Sequence, residues 1–283
     1  MPTRLRSLAE RALALAVALP SLGLSAFTQT VTLRIHPRVG DTLATRFEQH
    51  VEMTALAHLN GADTTLTVIS DMLLLSRTFV QSSDDEGTVV TSVTDSVGLL
   101  SHGTSMIAPP SEASRRALQG QRVKLRIAGD GRATVLESAG ELTADLQSML
   151  SSMPATLPKK EVQAGDSWTQ VMNVPVYGER GGKSGIITTY TLDSLKHNGD
   201  AAFISLRGSM ERDSTAGALE AGMHLSYTGS IAGELMVDRK RGWWMDSRVT
   251  ITMHSLLTPP AGVTASPMKV ETKINQRIRT AKR

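Results

Sequence analysis

The stretch "MHLSYTGSIAGELMV" (residues 223–237), followed after "DRKRG" by "WWMDSRVTITM" (243–253), decides the fold. In the first piece Met223, Leu225, Tyr227, Gly229, Ile231, Gly233, Leu235 and Val237 alternate with His224, Ser226, Thr228, Ser230, Ala232, Glu234 and Met236. In the second, Trp243, Met245, Val249, Ile251 and Met253 alternate with Trp244, Asp246, Arg248, Thr250 and Thr252. Successive side chains of a strand point to opposite faces, so a period of two marks a strand with one face turned to an apolar interior. Runs this long exceed the usual strand of about five or six residues. They fit a large, curved antiparallel sheet or a barrel. Gly229 and Gly233, both in the apolar phase, let such a strand bend.

Working outward, "NGAD" (60–63), "DDEG" (84–87), "GDG" (129–131), "NGD" (198–200) and "RKRG" (239–242) each separate alternating runs. Gly, Asn and Asp supply the positive φ angles that tight hairpins need. One segment has a different period: in "ELTADLQSMLSSM" (141–153) Leu142, Leu146, Met149, Leu150 and Met153 fall at helical spacing before Pro154. The sequence therefore predicts a mainly β (α+β) fold. It comprises about twelve strands in a curved sheet or half-barrel, with one amphipathic helix over 141–153 laid on it.

The Gly-Asp stretch "RVGDTL" (38–43) returns as "QAGDSW" (163–168). A nucleotide site, a pair of catalytic carboxylates (Asp41 with Asp166) or a repeated turn would each account for it. The turn accounts for every residue: Gly takes the left-handed conformation, Asp bonds the backbone two residues on, and Ser or Thr opens a strand. Similar strand and turn orders follow both copies, so we expect a single domain over 27–283 built from two halves, about 31–140 and 160–283, with extra strands at 31–37 and 268–280.

The first 26 residues have a separate character. "MPTRLRSLAER" carries Arg4, Arg6 and Arg11, and "ALALAVALPSLGLSA" is apolar and ends in small residues. This is the layout of a secretory signal peptide cut after Ala26, and its apolar run is short of the roughly twenty residues a membrane span needs. The chain is therefore expected in the periplasm or outside the cell. Of 30 Lys+Arg and 27 Asp+Glu, the leader holds those three Arg and Glu10, which leaves 27 cations against 26 anions. A surface so balanced is no nucleic-acid footprint. No cysteine is present, which excludes disulfides, thiolate catalysis and a lipidated N-terminal Cys.

Catalytic motifs fail on geometry. "GERGGKSG" (178–185) is one residue short of a phosphate-binding loop and runs into a strand pattern rather than a helix. "SPMK" (266–269) has Ser-x-x-Lys spacing, but in a strand the two are not neighbours. The seven histidines are dispersed; His224 and His254 lie on polar phases of adjacent strands and would be at most a two-ligand metal site. The acidic "SSDDEGT" (82–88) reads as a hairpin tip. We expect no enzyme, no metal and no cofactor.

With thirteen Met and only ten aromatic residues, the apolar phases are adaptable rather than bulky. That composition suggests an apolar groove, with Trp168, Met223, Leu225, Tyr227, Ile231 and Trp243 as its candidate ligand-binding residues. "LPKKEVQAGDSW" (157–168) resembles an uncharacterised group of bacterial exported proteins with a recurring Leu-Pro…Val-x-x-Gly-Asp-x-Trp motif. More remotely, the layout is similar to the lipoprotein-carrier half-barrels of the LolA, LolB and LppX kind. That resemblance implies a lipid or other apolar small molecule as ligand, with peripheral contact to a membrane. The competing expectation is a structural or protein-interaction module of the cell envelope that has no small-molecule ligand.

Overall fold

A computed structural model describes residues 29–59, 62–103, 115–116, 118–139, 156–173, 184–212, 222–260, 262–263 and 266–282. The signal peptide expected over 1–26 and the helix expected over 141–153 lie outside them. Eleven strands are formed: β1 (Thr42–Leu59), β2 (Ala62–Asp84), β3 (Gly87–Gly103), β4 (Arg122–Ile127), β5 (Ala133–Ala139), β6 (Ser167–Asn173), β7 (Ser184–Lys196), β8 (Ala201–Arg212), β9 (His224–Asp238), β10 (Trp243–Thr258) and β11 (Met268–Lys282). Among the described residues eleven strands stand against the expected count of about twelve: residues 31–37 do not join the sheet, whereas 268–280 do, as part of β11.

All eleven lie in one open antiparallel sheet, in the order β5-β4-β3-β2-β1-β11-β10-β9-β8-β7-β6. Neighbours along the chain are neighbours in the sheet, as short hairpins require, except at the step from β5 to β6, and β11 returns to lie between β1 and β10. β5 and β6 are therefore the two ends of the sheet. Both Gly-Asp turns have the same backbone geometry. Asp41 N–H donates to Arg38 O at 3.1 Å and Asp166 N–H to Gln163 O at 3.0 Å, across Gly40 (φ 85°) and Gly165 (φ 95°). A positive φ at the third turn position is what calls for glycine there. Gly40 and Asp41 then bracket Val80 of β2 by two backbone bonds of 3.0 Å each, and Gly165 and Asp166 bracket Leu192 of β7 by bonds of 2.7 and 2.9 Å. Each turn thus pins its first strand beside the second at a buried apolar residue. The aspartates do not bond forward as the sequence suggested. Asp166 accepts from Gln163 N–H at 2.9 Å, and Asp41 from Lys282 Nζ at 2.5 Å.

The core sits at one end of the sheet. Leu43 opens β1, Val80 and Val90 face each other near the β2–β3 turn, Leu192 ends β7, Ile204 begins β8 and Val237 ends β9, and all are buried. Antiparallel order brings these starts and ends together. On them lies the extended segment 31–37, whose Val31, Leu33, Ile35 and Pro37 are buried while Thr32, Arg34 and His36 are exposed. Its backbone polar groups still need partners. Val31 and Val162 exchange bonds of 2.8 and 3.0 Å, Ile35 N–H reaches Gly129 O at 2.8 Å, and His36 N–H reaches Gly242 O at 2.9 Å. The segment therefore ties the β4–β5 turn to the β9–β10 turn, joining the two halves at their shared end. Leu157, with none of its surface exposed, fills the same core, and Thr156 and Leu157 N–H both donate to Asp130 O.

Candidate functional site

The pairing register sorts every strand residue onto one of two faces. On the first, directly paired residues run Leu99, Met72, Gln49, Gln276, Val249, Gly233, Leu206, Tyr190, Trp168 from β3 across to β6. The same face carries Val51, Ile274, Ile251 and Ile231 in the next row, then Met53 and Met253 in the one beyond. This is the apolar face. Its end at Leu43 and Val237 is filled by core, but Val51, Met53, Ile231, Ile251, Met253 and Ile274 are only half-buried. Among the described residues, the extensive strand-to-strand contacts are all between neighbours in the sheet, so no described strand is laid across these rows. Gln49 and Gln276, bonded side chain to side chain at 3.1 Å, interrupt this face, as does Thr272 between Met53 and Met253.

The six residues singled out from the sequence divide between these regions. Trp168 and Trp243 are buried in the core, at 9% and 6% exposure. Trp168 stacks on Tyr190 with ring centroids 5.8 Å apart, and its Nε1–H donates to Thr156 O at 3.1 Å, so its polar atom is satisfied inside the protein. Leu225, Tyr227 and Ile231 lie half-buried along the apolar face of β9, and Met223 stands one residue before that strand begins.

The second face is polar, and it holds what the sequence reading missed. One residue along from the row above run Gly98, Leu73, Glu48, Arg277, Arg248, Glu234, Ser205, Thr191 and Ser167. Ion pairs lace this face: on the diagonal between strands Glu48 takes Arg279 at 2.9 Å and Asp246 takes Arg277 at 3.0 Å, and along their own strands Glu48 takes Arg46 at 2.6 Å and Asp246 takes Arg248 at 3.7 Å. Beside them His50 is held by both ring nitrogens, Nδ1 to Asp71 at 2.7 Å and Nε2 to Glu52 at 3.0 Å. Glu48, His50, Asp71, Arg248 and Arg277 line an open depression of about 1010 Å³, with Asn275 and Thr250 beside them.

The hydrogen bond to Asp71, and then that to Glu52, raise the His50 pKa above its ordinary value, because an imidazolium can donate to both carboxylates at once. The groups facing it are Glu48 and Glu52 on its own strand, Asp71 on β2, and Asn275, Lys273 and Arg277 on β11. A raised folded pKa contributes stability that is fully present below the unfolded value near 6.5 and is lost as pH rises through the folded value. We expect the His50 ring proton shifts to titrate above that ordinary value, and Asp71→Asn to bring the midpoint down. An unchanged midpoint in Asp71→Asn would show that Asp71 does not set it.

The other sequence candidates are accounted for locally. His224 pairs with Thr258 and His254 with Thr228, which sets the two histidines four residues apart along the strands, roughly 13 Å. Among the described residues no cluster of three His, Asp or Glu is arranged to hold a metal. Asp41 and Asp166 stand at the starts of β1 and β6, which have five strands between them in the sheet order. Asp84 of the acidic hairpin accepts from Glu86 and Gly87 N–H, the work of a turn residue.

No curated protein matches the chain. Among solved structures, the chain is similar to the COG4313 outer membrane channel from Pseudomonas putida F1, at 10% identity over 86% of this chain and 96% of that one, with a TM-score of 0.22. It is also similar to the outer membrane protein OprG from Pseudomonas aeruginosa, at 10% identity over 88% and 99% of the two chains, with a TM-score of 0.16. Neither superposes well enough to add to the fold described above. Residues 141–244, the stretch that contains β6 to β9 and opens β10, match a family of unknown function (DUF6263).

Proposed function

We propose that the protein is an exported, non-enzymatic binding protein of a bacterial envelope that holds an acyl chain or a similar apolar molecule on the apolar face of its sheet. The observation that carries this reading is the half-buried run of Val51, Ile274, Ile251 and Ile231, flanked in the next row by Met53 and Met253 on either side of Thr272. At about 25 cal/mol per Å² of apolar surface removed from water, a contiguous band of this kind gains from any apolar partner laid along it. Met supplies the adaptability to fit more than one such partner. The half-barrel form of the sheet is part of the proposal. A Cβ added to Gly131 of the β4–β5 turn would meet Trp244 Cζ2 of β10 at 2.7 Å, although β3, β2, β1 and β11 stand between β4 and β10 in the sheet order. That approach supports curvature towards the apolar side.

Uptake of a fluorescent fatty acid by the purified chain tests the proposal, with organic extraction and native mass spectrometry for co-purified lipid. Ile251→Asp combined with Met253→Asp should weaken uptake at least tenfold. Thr252→Asp, between them on the polar face, should leave it unchanged. No uptake by the folded wild-type chain, together with a lipid-free mass, removes the reading. In that case the depression of about 1010 Å³ on the polar face favours the second one, a protein-interaction module of the envelope.

A further inference from the structure

Beyond the row of Met53 and Met253 the apolar face changes character. Its next row, read by direct pairing across β8, β9 and β10, is Arg212, Tyr227 and Ser255. Exposure alternates along β8: Leu206, Met210 and Arg212 are buried, while Arg207, Ser209 and Glu211 are exposed, so Arg212 belongs to the buried side. A Cβ added to Gly229 would meet Met210 Cγ at 2.9 Å, which confirms that this phase of β8 leans over the apolar face of β9. Arg212 is 7% exposed, and Tyr227 and Ser255 are half-buried. Among the described residues of β1 to β3 and β7 to β11, Arg212 is the only charged residue on this face beyond the Gln49–Gln276 row. The row after it, Leu225, Leu257 and Met268, is apolar again.

From this row we infer that the ligand of the apolar face is a long-chain carboxylate, with its tail on the Ile and Met rows and its carboxylate at Arg212, Tyr227 and Ser255. The inference rests on the reading of this face as an acyl-chain site and adds the headgroup to it. A guanidinium keeps its charge at neutral pH, and its planar fork matches a carboxylate by two parallel N–H bonds. With five donors it can hold an anion from outside the chain in addition to a partner within it. Directly paired residues stand about 5 Å apart, so the phenol of Tyr227 and the hydroxyl of Ser255 are placed to donate to the same headgroup. One cation balances the single charge of a carboxylate, whereas a phosphate monoester brings about −1.5 to −2. From Arg212 back to Leu206, which lies in the Gln49–Gln276 row, are six residues of β8, about 20 Å of strand. That is room for an extended long acyl tail between the charged row and the glutamines.

Titration of the purified chain at neutral pH with cis-parinaric acid and with its methyl ester, which has the same tail and no charge, tests this. Wild type should bind the acid at least tenfold more tightly than the ester, since hydrogen bonds to a charged group carry that much. Arg212→Gln should bring the acid down to the affinity of the ester and leave the ester within about twofold of wild type. Tyr227→Phe combined with Ser255→Ala removes hydroxyls only, and should lower the acid-to-ester ratio at least threefold even where Arg212→Gln fails to fold. Arg207→Gln, on the exposed side of β8, should keep the wild-type ratio. Palmitate should displace the bound probe more effectively than hexadecyl phosphate. The inference is overturned if wild type binds acid and ester equally, if folded Arg212→Gln or the hydroxyl variant keeps the full preference, or if hexadecyl phosphate displaces better. Equal binding of acid and ester removes the headgroup site and leaves the acyl-chain reading standing. Binding of neither removes both.

Discussion

Leu33→Ala is expected to lower the stability of the folded chain by about 3 kcal/mol, with a matching fall in the urea midpoint. Leu33 is 1% exposed at the centre of the segment that crosses the shared end of the sheet. Truncation removes its burial free energy and leaves a cavity between Val31 and Ile35, which cannot close over it because both are fixed by their own backbone bonds to Val162 and Gly129. Thr32→Ala, one residue away and exposed, removes a hydroxyl without opening a cavity and should change stability by no more than about 0.5 kcal/mol. If both substitutions cost the same, the segment lies on the surface and does not belong to the core.

The residues that control this end show what a linear reading can reach. The strands of β9 and β10 were legible because their alternation is long, and a period of two has one physical cause. The two Gly-Asp turns were legible as turns because positive φ restricts the residue choice there. Register was not legible. Glu48 meets Arg279 across 231 positions of sequence, and which face of β10 carries Trp244 depends on a one-residue bulge between Trp244 and Asp246 that no local pattern announces. The same gap hid the clamp on His50, whose partner Asp71 becomes adjacent only once β1 and β2 are aligned. Segment 31–37 had the alternation of a strand and does have one buried side, but it closes the end of the sheet by crossing over its turns. Alternation reports a buried face and is silent on what buries it.

Topology adds a constraint that the two turns alone do not. From β5 to β1 and from β10 to β6 the sheet order descends in the same sense, and both Gly-Asp turns stand at the same end of their strands. A duplicated five-strand meander would give this arrangement if β11 were the piece that joins the copies. Each half alone would leave its apolar face without the segment 31–37 and without Leu157, which fill the shared end from opposite sides of the chain. The halves are therefore expected to unfold together, in a single transition by tryptophan fluorescence and by circular dichroism.

Trp168→Ala should be the most damaging single change in the second half, at about 4 kcal/mol. Trp168 is nearly enclosed, its ring lies almost parallel to that of Tyr190 at an interplanar angle of 10°, and its indole N–H is the partner of Thr156 O. Removing the side chain empties the end of the apolar row and strips a buried carbonyl of its donor, and these two costs act together. Trp168→Phe keeps most of the apolar volume and the stacking but loses the donor, so it should cost about 1 to 2 kcal/mol. Urea unfolding of both variants beside wild type measures the difference. The same pair decides what this tryptophan does for binding. A core residue that only completes the wall predicts that Trp168→Phe takes up fluorescent fatty acid with unchanged affinity. A residue that contacts the ligand predicts a loss of affinity larger than the loss of stability. The leucine that stands at the matching turn position of the first half, Leu43, is buried at 1% and has no polar atom to satisfy. The tryptophan therefore differs from it by one hydrogen bond, to the segment that leads into the second half, and that bond ties Thr156 to β6.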